Sequence, residues 1–193
     1  SDSQLQVNIW RTQDLIGEQV ALAVTCRGAV VHFEEIKDME RLSNMYDSDN
    51  PSIAILDATA GQLNKIQEFN DAYDPLIQAM VSIELLAARG EVLLSDESVQ
   101  QIQELAMRVM NVQKIMNGSI QDLRFQVIKN WMGTCYGVDR LTGMTADPES
   151  AMSLENICRK AQRDISILGR NISSLGDSGN PLLNILHAIV VNQ

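Results

Sequence analysis

Apolar and polar positions in the front half of the chain come as short runs separated by longer amphipathic stretches. Leu5-Gln6-Val7-Asn8-Ile9-Trp10 alternates apolar with polar, the period of a half-buried strand, and Asp14 then caps an amphipathic stretch from Leu15 to Cys26. Gly28 closes that helix, and Ala29-Val30-Val31-His32-Phe33 reads as a second strand. Ile36, Met39, Leu42 and Met45 recur at steps of three on a second helix, and Asp47-Ser48-Asp49-Asn50-Pro51 has the composition of a turn. Pro51-Ser52-Ile53-Ala54-Ile55-Leu56-Asp57 is an apolar run that stops at an acid, as a buried parallel strand does when it delivers a carboxylate to the end of a sheet. Leu63, Ile66 and Phe69 mark a short third helix within 62–73.

Residues 75–89 read two ways, as a fourth strand (76–81) running into a helix or as one buried helix. Gly90 breaks the chain, and Glu91-Val92-Leu93-Leu94-Ser95 has the length of a fifth strand. Five strands alternating with helices predict an α/β flavodoxin-like sheet with its site at the strand C-termini.

The back half is plainer. From Asp96 onward Ile102, Leu105, Val109, Val112, Met116, Ile120, Leu123, Val127 and Trp131 repeat at three and four, a heptad-like stripe interrupted only by Gly118-Ser119. Three glycines in 133–143 end it, and Asp147-Pro148-Glu149 combines an N-cap, a proline at the first helical position and an acid in the first turn. Leu154, Ile157, Ala161, Ile165, Leu168, Ile172 and Leu175 then carry a second amphipathic helix, and Leu182 to Val191 forms a last apolar helix after the turn 176–181. The expected organisation is a receiver-like α/β domain over 1–98, a coiled-coil stalk over 99–132 and a helical region over 133–193, the last two making an α-helical coiled-coil or bundle. A stripe this long calls for a partner surface, so a homodimer is expected through Ile102, Leu105, Val109, Val112, Met116, Leu123 and Val127.

Composition narrows the function classes. With 193 residues and 45% apolar positions the chain has material for a proper core, aromatic residues are only 4%, and nine methionines make that core aliphatic and adaptable. Three cysteines, Cys26, Cys135 and Cys158, are odd in number and lack metal-ligand spacing, which argues against a disulfide framework or a zinc knuckle. No metal and no cofactor is expected. No run has the length of a membrane span and no basic-then-apolar leader opens the sequence, so the expectation is a cytoplasmic protein without membrane contact. The net charge is -10, and residues 1–95 hold fifteen acids against six Lys/Arg, while residues 96–193 hold ten against nine. Nucleic acid, if bound at all, would therefore meet the back half. His32 and His187 have no Ser, Cys or carboxylate companion at a recognisable spacing, and no glycine loop cradles phosphate, so no enzyme is expected.

Residues 4–116 resemble in pattern the receiver domain of response regulators, in which an aspartate ending the third strand accepts a phosphoryl group; Asp57 stands at that position. The resemblance makes Asp57 the candidate phosphoacceptor. Trp10, Arg11 and Thr12 occupy the places of the family's acid pair, and Ser95-Asp96 stands where its lysine is expected; Ser82 matches its hydroxyl. Phosphoryl transfer to a carboxylate requires a divalent metal held by such acids. The resemblance thus implies a pseudo-receiver, a non-catalytic signal-transduction regulator that acts through a regulatory protein partner.

Receiver, stalk and terminal helical unit together resemble antiterminators of the amidase-regulator type with an RNA-binding ANTAR domain, Ser150-Ala151, Ile157, Arg159 and Ala161 sitting as in that domain's second helix. That resemblance implies RNA contact within residues 133–193 by Arg159, Lys160, Arg163 and Arg170. Asp139-Arg140-Leu141-Thr142-Gly143-Met144 resembles the opening stretch of diguanylate cyclase domains, but no Gly-Gly-Asp-Glu-Phe loop follows and no cyclase is expected. A third reading, a purely helical scaffold or assembly protein, requires that 75–89 be one helix and that the short apolar runs not be strands.

Overall fold

In the computed structural model, which describes residues 2–39, 51–88, 90, 93–124, 138–139, 144–145, 148–177 and 179–191, the chain is a bundle of helices. Helices α1 (Asp2–Met39) and α2 (Pro51–Ala88) are each 38 residues long, α3 spans Asp96–Arg124, α4 Pro148–Leu175 and α5 Pro181–Val191. The described strands are two-residue segments, β1 (Val138–Asp139) and β2 (Met144–Thr145), paired antiparallel with Val138 opposite Thr145.

The α/β flavodoxin-like expectation is therefore wrong. Leu5–Trp10 and Ala29–Phe33 lie within α1, Pro51–Asp57 forms the first turns of α2, and 76–81 belongs to the same continuous α2, so the one-helix alternative for 75–88 holds. Leu93–Ser95 has no regular structure. The reason is visible on α1: the buried positions are Leu5, Ile9, Thr12, Ile16, Gln19, Ala23 and Cys26, a three-four repeat, whereas Val7 and Trp10 are 57% and 59% exposed. Two polar residues on the buried face and apolar ones outside blur the helical stripe and leave an accidental alternation.

Interhelical hydrogen bonds fix the directions. Gln19 Nε2 donates to the Phe69 carbonyl (3.4 Å) and Cys26 Sγ to that of Lys65 (3.2 Å), so α1 and α2 run antiparallel. Gln6 Nε2 donates to Gln101 Oε1 (3.0 Å), which brings together the second turns of α1 and α3, so these helices run parallel. Asn171 Nδ2 donates to Asn70 Oδ1 (3.3 Å) and Tyr73 Oη bonds Ser174 Oγ, both at a sequence offset of 101, so α2 and α4 are also parallel. With α1 packed on α2 and α3, and α4 on the same two, α1 faces α4 and α2 faces α3 across the bundle diagonals. The turn from α2 to α3 crosses one of these. Gly90 makes it, taking a φ of 65° that glycine adopts without a Cβ clash.

The fourth side of the bundle is built in two pieces. α5 packs against α2 and α3 as α4 does, and Asn184 Nδ2 donates to Glu84 Oε2 (3.4 Å) at an offset of 100, so α5 resumes the line that α4 leaves at Leu175. Gly176 lies so close to α3 that a Cβ there would overlap the Gln113 side-chain amide, which donates to the Ile172 carbonyl (3.2 Å). One apolar cluster, from Leu5 through Ile66, Phe69, Met80, Leu105 and Leu168 to Ile185, fills the interior and draws on all five helices. The segments expected as separate units over 1–98, 99–132 and 133–193 thus share a core.

Candidate interaction surfaces

At the end of the bundle holding the α2 C-terminus, Glu84, Ala87, Ala88, Gly90, Leu93, Leu94, Asn184, Ile185, Ala188 and Ile189 enclose a groove of about 840 Å³. Its position follows from local chemistry. Ser95 caps α3, its Oγ accepting from the Ser98 amide (3.2 Å), and Asp96 and Glu97 fill the acid-favouring first turn. With Gly90 turning the chain out of α2 and Ser95 starting α3, the Leu93-Leu94 pair is presented at the groove, and Leu93 is 94% exposed. Groove polarity is confined to Glu84 and Asn184, which bond each other.

A second groove of about 410 Å³ runs along α1 and α2, with Leu15, Leu22, Ala72 and Pro75 as its apolar lining and Glu18, Glu68 and Asp71 as its charged rims. Pro75 sits inside α2 and has no amide hydrogen, so the Asp71 carbonyl lacks its helical donor. Lys65 lies 3.8 Å from Glu68, an exposed pair of little energetic weight.

On α4, Arg159, Gln162, Arg163, Ser166, Ile167 and Arg170 line a shallow hollow of about 500 Å³. Three of the four cations expected to contact RNA are thus on one face. Lys160 is not: its ammonium donates to Gln67 Oε1 on α2 (2.7 Å) and pairs with Asp164 (3.1 Å).

Other expected sites fare differently. Asp57 lies within α2 and not at the end of a strand, so the receiver geometry that would make it a phosphoacceptor does not exist; its side chain lies outside the described residues. Ile102, Leu105, Val109, Val112 and Met116 are fully buried against the chain's own helices, which corrects their assignment to a dimer interface. Leu123 belongs to α3, its side chain outside the described residues, and Val127 lies outside them altogether. His187 is exposed on α5.

Cys26 is a buried free thiol whose Sγ bonds the Lys65 carbonyl, and desolvation, with the Glu68 charge adding to it and Lys65 opposing, pushes its pKa up to about 12. Such a thiol is no nucleophile at neutral pH. Among the described residues no group of three or more His, Cys, Asp or Glu is placed to hold a metal ion, and no described helix is long and apolar enough to cross a membrane. Comparison with family models, curated proteins and solved structures finds no match.

Sequence reasoning missed both grooves. Leu93-Leu94, three residues after Gly90, was the available signal for the first, since two leucines in a short turn cannot both pack inward: Leu94 packs against the core and Leu93 is left exposed. For the second the signal was Pro75 with Asp71 and Glu68 at helical spacing, legible only once 51–88 is known to be one helix.

Proposed function

We propose that this chain is a non-catalytic helical scaffold that acts by contact with another protein, with the end groove between α2 and α5 as its binding face. The observation that carries the reading is the apolar lining of that groove beside Leu93, which is 94% exposed. Exposed apolar surface of this kind marks interaction sites, and a concave apolar lining suits an amphipathic helix of a partner. A cytoplasmic setting goes with this reading, because Cys26 is held as a buried free thiol. Dimerisation through the α3 stripe is not part of it, because the described positions of that stripe are used inside the core.

A photo-crosslinking amino acid at Leu93, compared with one at exposed Asn111 on α3, tests the proposal in cells. A discrete protein adduct from position 93 alone, lost when Ala188→Arg fills the groove, is the expected result. Equal labelling from both positions would sink the reading.

A second reading, RNA binding within residues 133–193, is favoured by the shared face of Arg159, Arg163 and Arg170. Against it stands a net charge of -10, which repels a polyanion at long range. Filter binding of a mixed RNA oligonucleotide at two salt concentrations decides it, since true phosphate contact weakens steeply with salt and disappears in Arg163→Glu/Arg170→Glu.

A further inference from the structure

The groove of α1/α2 and the exposed face of α4 are opposite in charge, the first lined by carboxylates and the second by guanidinium groups. On α4, Arg163, Ile167 and Arg170 recur at steps of four and three and so form one stripe, with the 37% exposed Ile167 standing between two guanidinium groups. On the other surface Leu15 and Leu22 are seven residues apart on α1, about 10.5 Å of helix, the same rise that separates Arg163 from Arg170. Glu18 lies between those leucines, and Glu68 and Asp71 line the opposite wall. No cation lines the groove and no carboxylate lines the α4 hollow. Among the described residues no ion pair engages Arg163, Arg170, Glu18 or Asp71, while Glu68 has its exposed pairing with Lys65. Pro75 adds a further acceptor to the groove by leaving the Asp71 carbonyl without its helical donor.

We propose that the α4 face of one copy of this chain docks into the α1/α2 groove of a second copy. Ile167 seats between Leu15 and Leu22, and Arg163 and Arg170, one turn to either side, reach the carboxylates of Glu18, Glu68 and Asp71. α4 stands diagonally across the bundle from α1, so plug and groove lie on different sides of one molecule. The contact is therefore heterologous: each copy offers the arginine face at one side and the groove at another, which builds a head-to-tail series, open or closed as a ring according to its rotation, and not an isologous pair. One helix face in one groove is smaller than a stable interface, and two bodies of charge -10 repel at long range, so association belongs to the weak, concentration-driven class. This surface is separate from the end groove, and either can fail without the other.

Sedimentation equilibrium of the full chain from about 10 µM to about 1 mM at near-physiological salt reads the result directly. The wild type is expected to gain mass progressively, without a plateau at the dimer. Arg163→Glu/Arg170→Glu and Glu18→Arg/Asp71→Arg should each lower the association constant about tenfold or more, with unchanged helical circular dichroism. An equimolar mixture of the two should recover the mass increase, because each variant's plug now matches the other's groove; misfolding cannot produce that recovery. Ile167→Asp should weaken association as well without touching the pairs. A wild type that stays monomeric throughout, a plateau at the dimer, or a mixture that behaves as the sum of its parts overturns the proposal. So does an RNA oligonucleotide that binds the monomeric wild type and is lost in Arg163→Glu/Arg170→Glu, which would make the face a nucleic-acid surface.

Discussion

Asn180 donates through Nδ2 to the carbonyl of Leu175, the last residue of α4, and its Oδ1 accepts from the Leu182 amide at 3.0 Å in the first turn of α5. One fully buried side chain thereby closes one helix and opens the next. Its own backbone is held by the Asp177 carbonyl (2.9 Å), and its carbonyl takes the first helical bond of α5 from the Asn184 amide (3.1 Å). The break that splits the fourth side of the bundle is thus satisfied almost entirely by this residue.

Replacing Asn180 by Ala removes the cap and strands a buried carbonyl, and the combined cost is expected to be about 2–3 kcal/mol. Asn180→Asp keeps the acceptor for Leu182 and loses the donor, so it should fall between the two. Urea denaturation gives the energies, and hydrogen exchange should show the loss concentrated in α5. An Ala variant within about 0.5 kcal/mol of wild type would show that the junction does not depend on this side chain.

Leu105 and Met107 are two residues apart on α3, one fully buried and the other 66% exposed. Leu105→Ala is expected to cost about 2–5 kcal/mol and Met107→Ala less than about 0.5 kcal/mol. Because the stripe is buried within one copy, the Leu105→Ala loss should not depend on protein concentration. A denaturation midpoint that moves with concentration in the wild type but not in this variant would return the stripe to an interface.

Gln19 is fully buried with Oε1 unpartnered, and its Nε2 makes only a long bond to a carbonyl already inside helix α2. An unpaired buried acceptor costs more than the bond returns. Gln19→Leu, similar in volume, should therefore raise stability by about 1 kcal/mol. Thermal melting is the check, and a lower melting temperature would mean that Oε1 has a partner such as a buried water.

Cys26 ties stability to high pH. Its thiol titrates near 9.0 when unfolded and is pushed up to about 12 in the bundle, so the folded state holds the proton across that window. The contribution is complete below about pH 9 and falls as pH rises from there towards 12, by at most about 1.4 kcal/mol per pH unit. Lysines and tyrosines titrate in the same range, so the test is the difference between wild type and Cys26→Ala: the variant's stability should fall less steeply from pH 9 to 11. Parallel curves would place Cys26 in contact with water.

The back half was legible because its helices obey one rule at a time. The start of α4 at Pro148 follows from Asp147-Pro148-Glu149, and its stripe from Ala161 to Leu175 is buried as the spacing implies. In α1 the rules conflict. Thr12 can be buried because its hydroxyl returns to the Asn8 carbonyl (2.7 Å), and Gln19 because it reaches across to Phe69, neither of which a hydropathy pattern registers. Pro75 in mid-helix and Gly28 inside α1 misled in the same way, since surrounding packing overrides a local breaker.

What the sequence determined by itself is local: the helical stripes of α3 and α4, the start of α4, the turn before α5, the aliphatic core and the acidic balance of the front half. What tertiary structure decided is everything that depends on a neighbour. A stripe at three and four says that a helix has a face to bury, and it is silent on whether the covering surface comes from the same chain; packing against α1 and α4 settled that for Ile102 to Met116. Likewise a carboxylate's neighbours across a groove are set by helix direction and register, which arise from contacts between residues distant in sequence, so Glu18 met Glu68 and Asp71 only when α1 and α2 folded side by side.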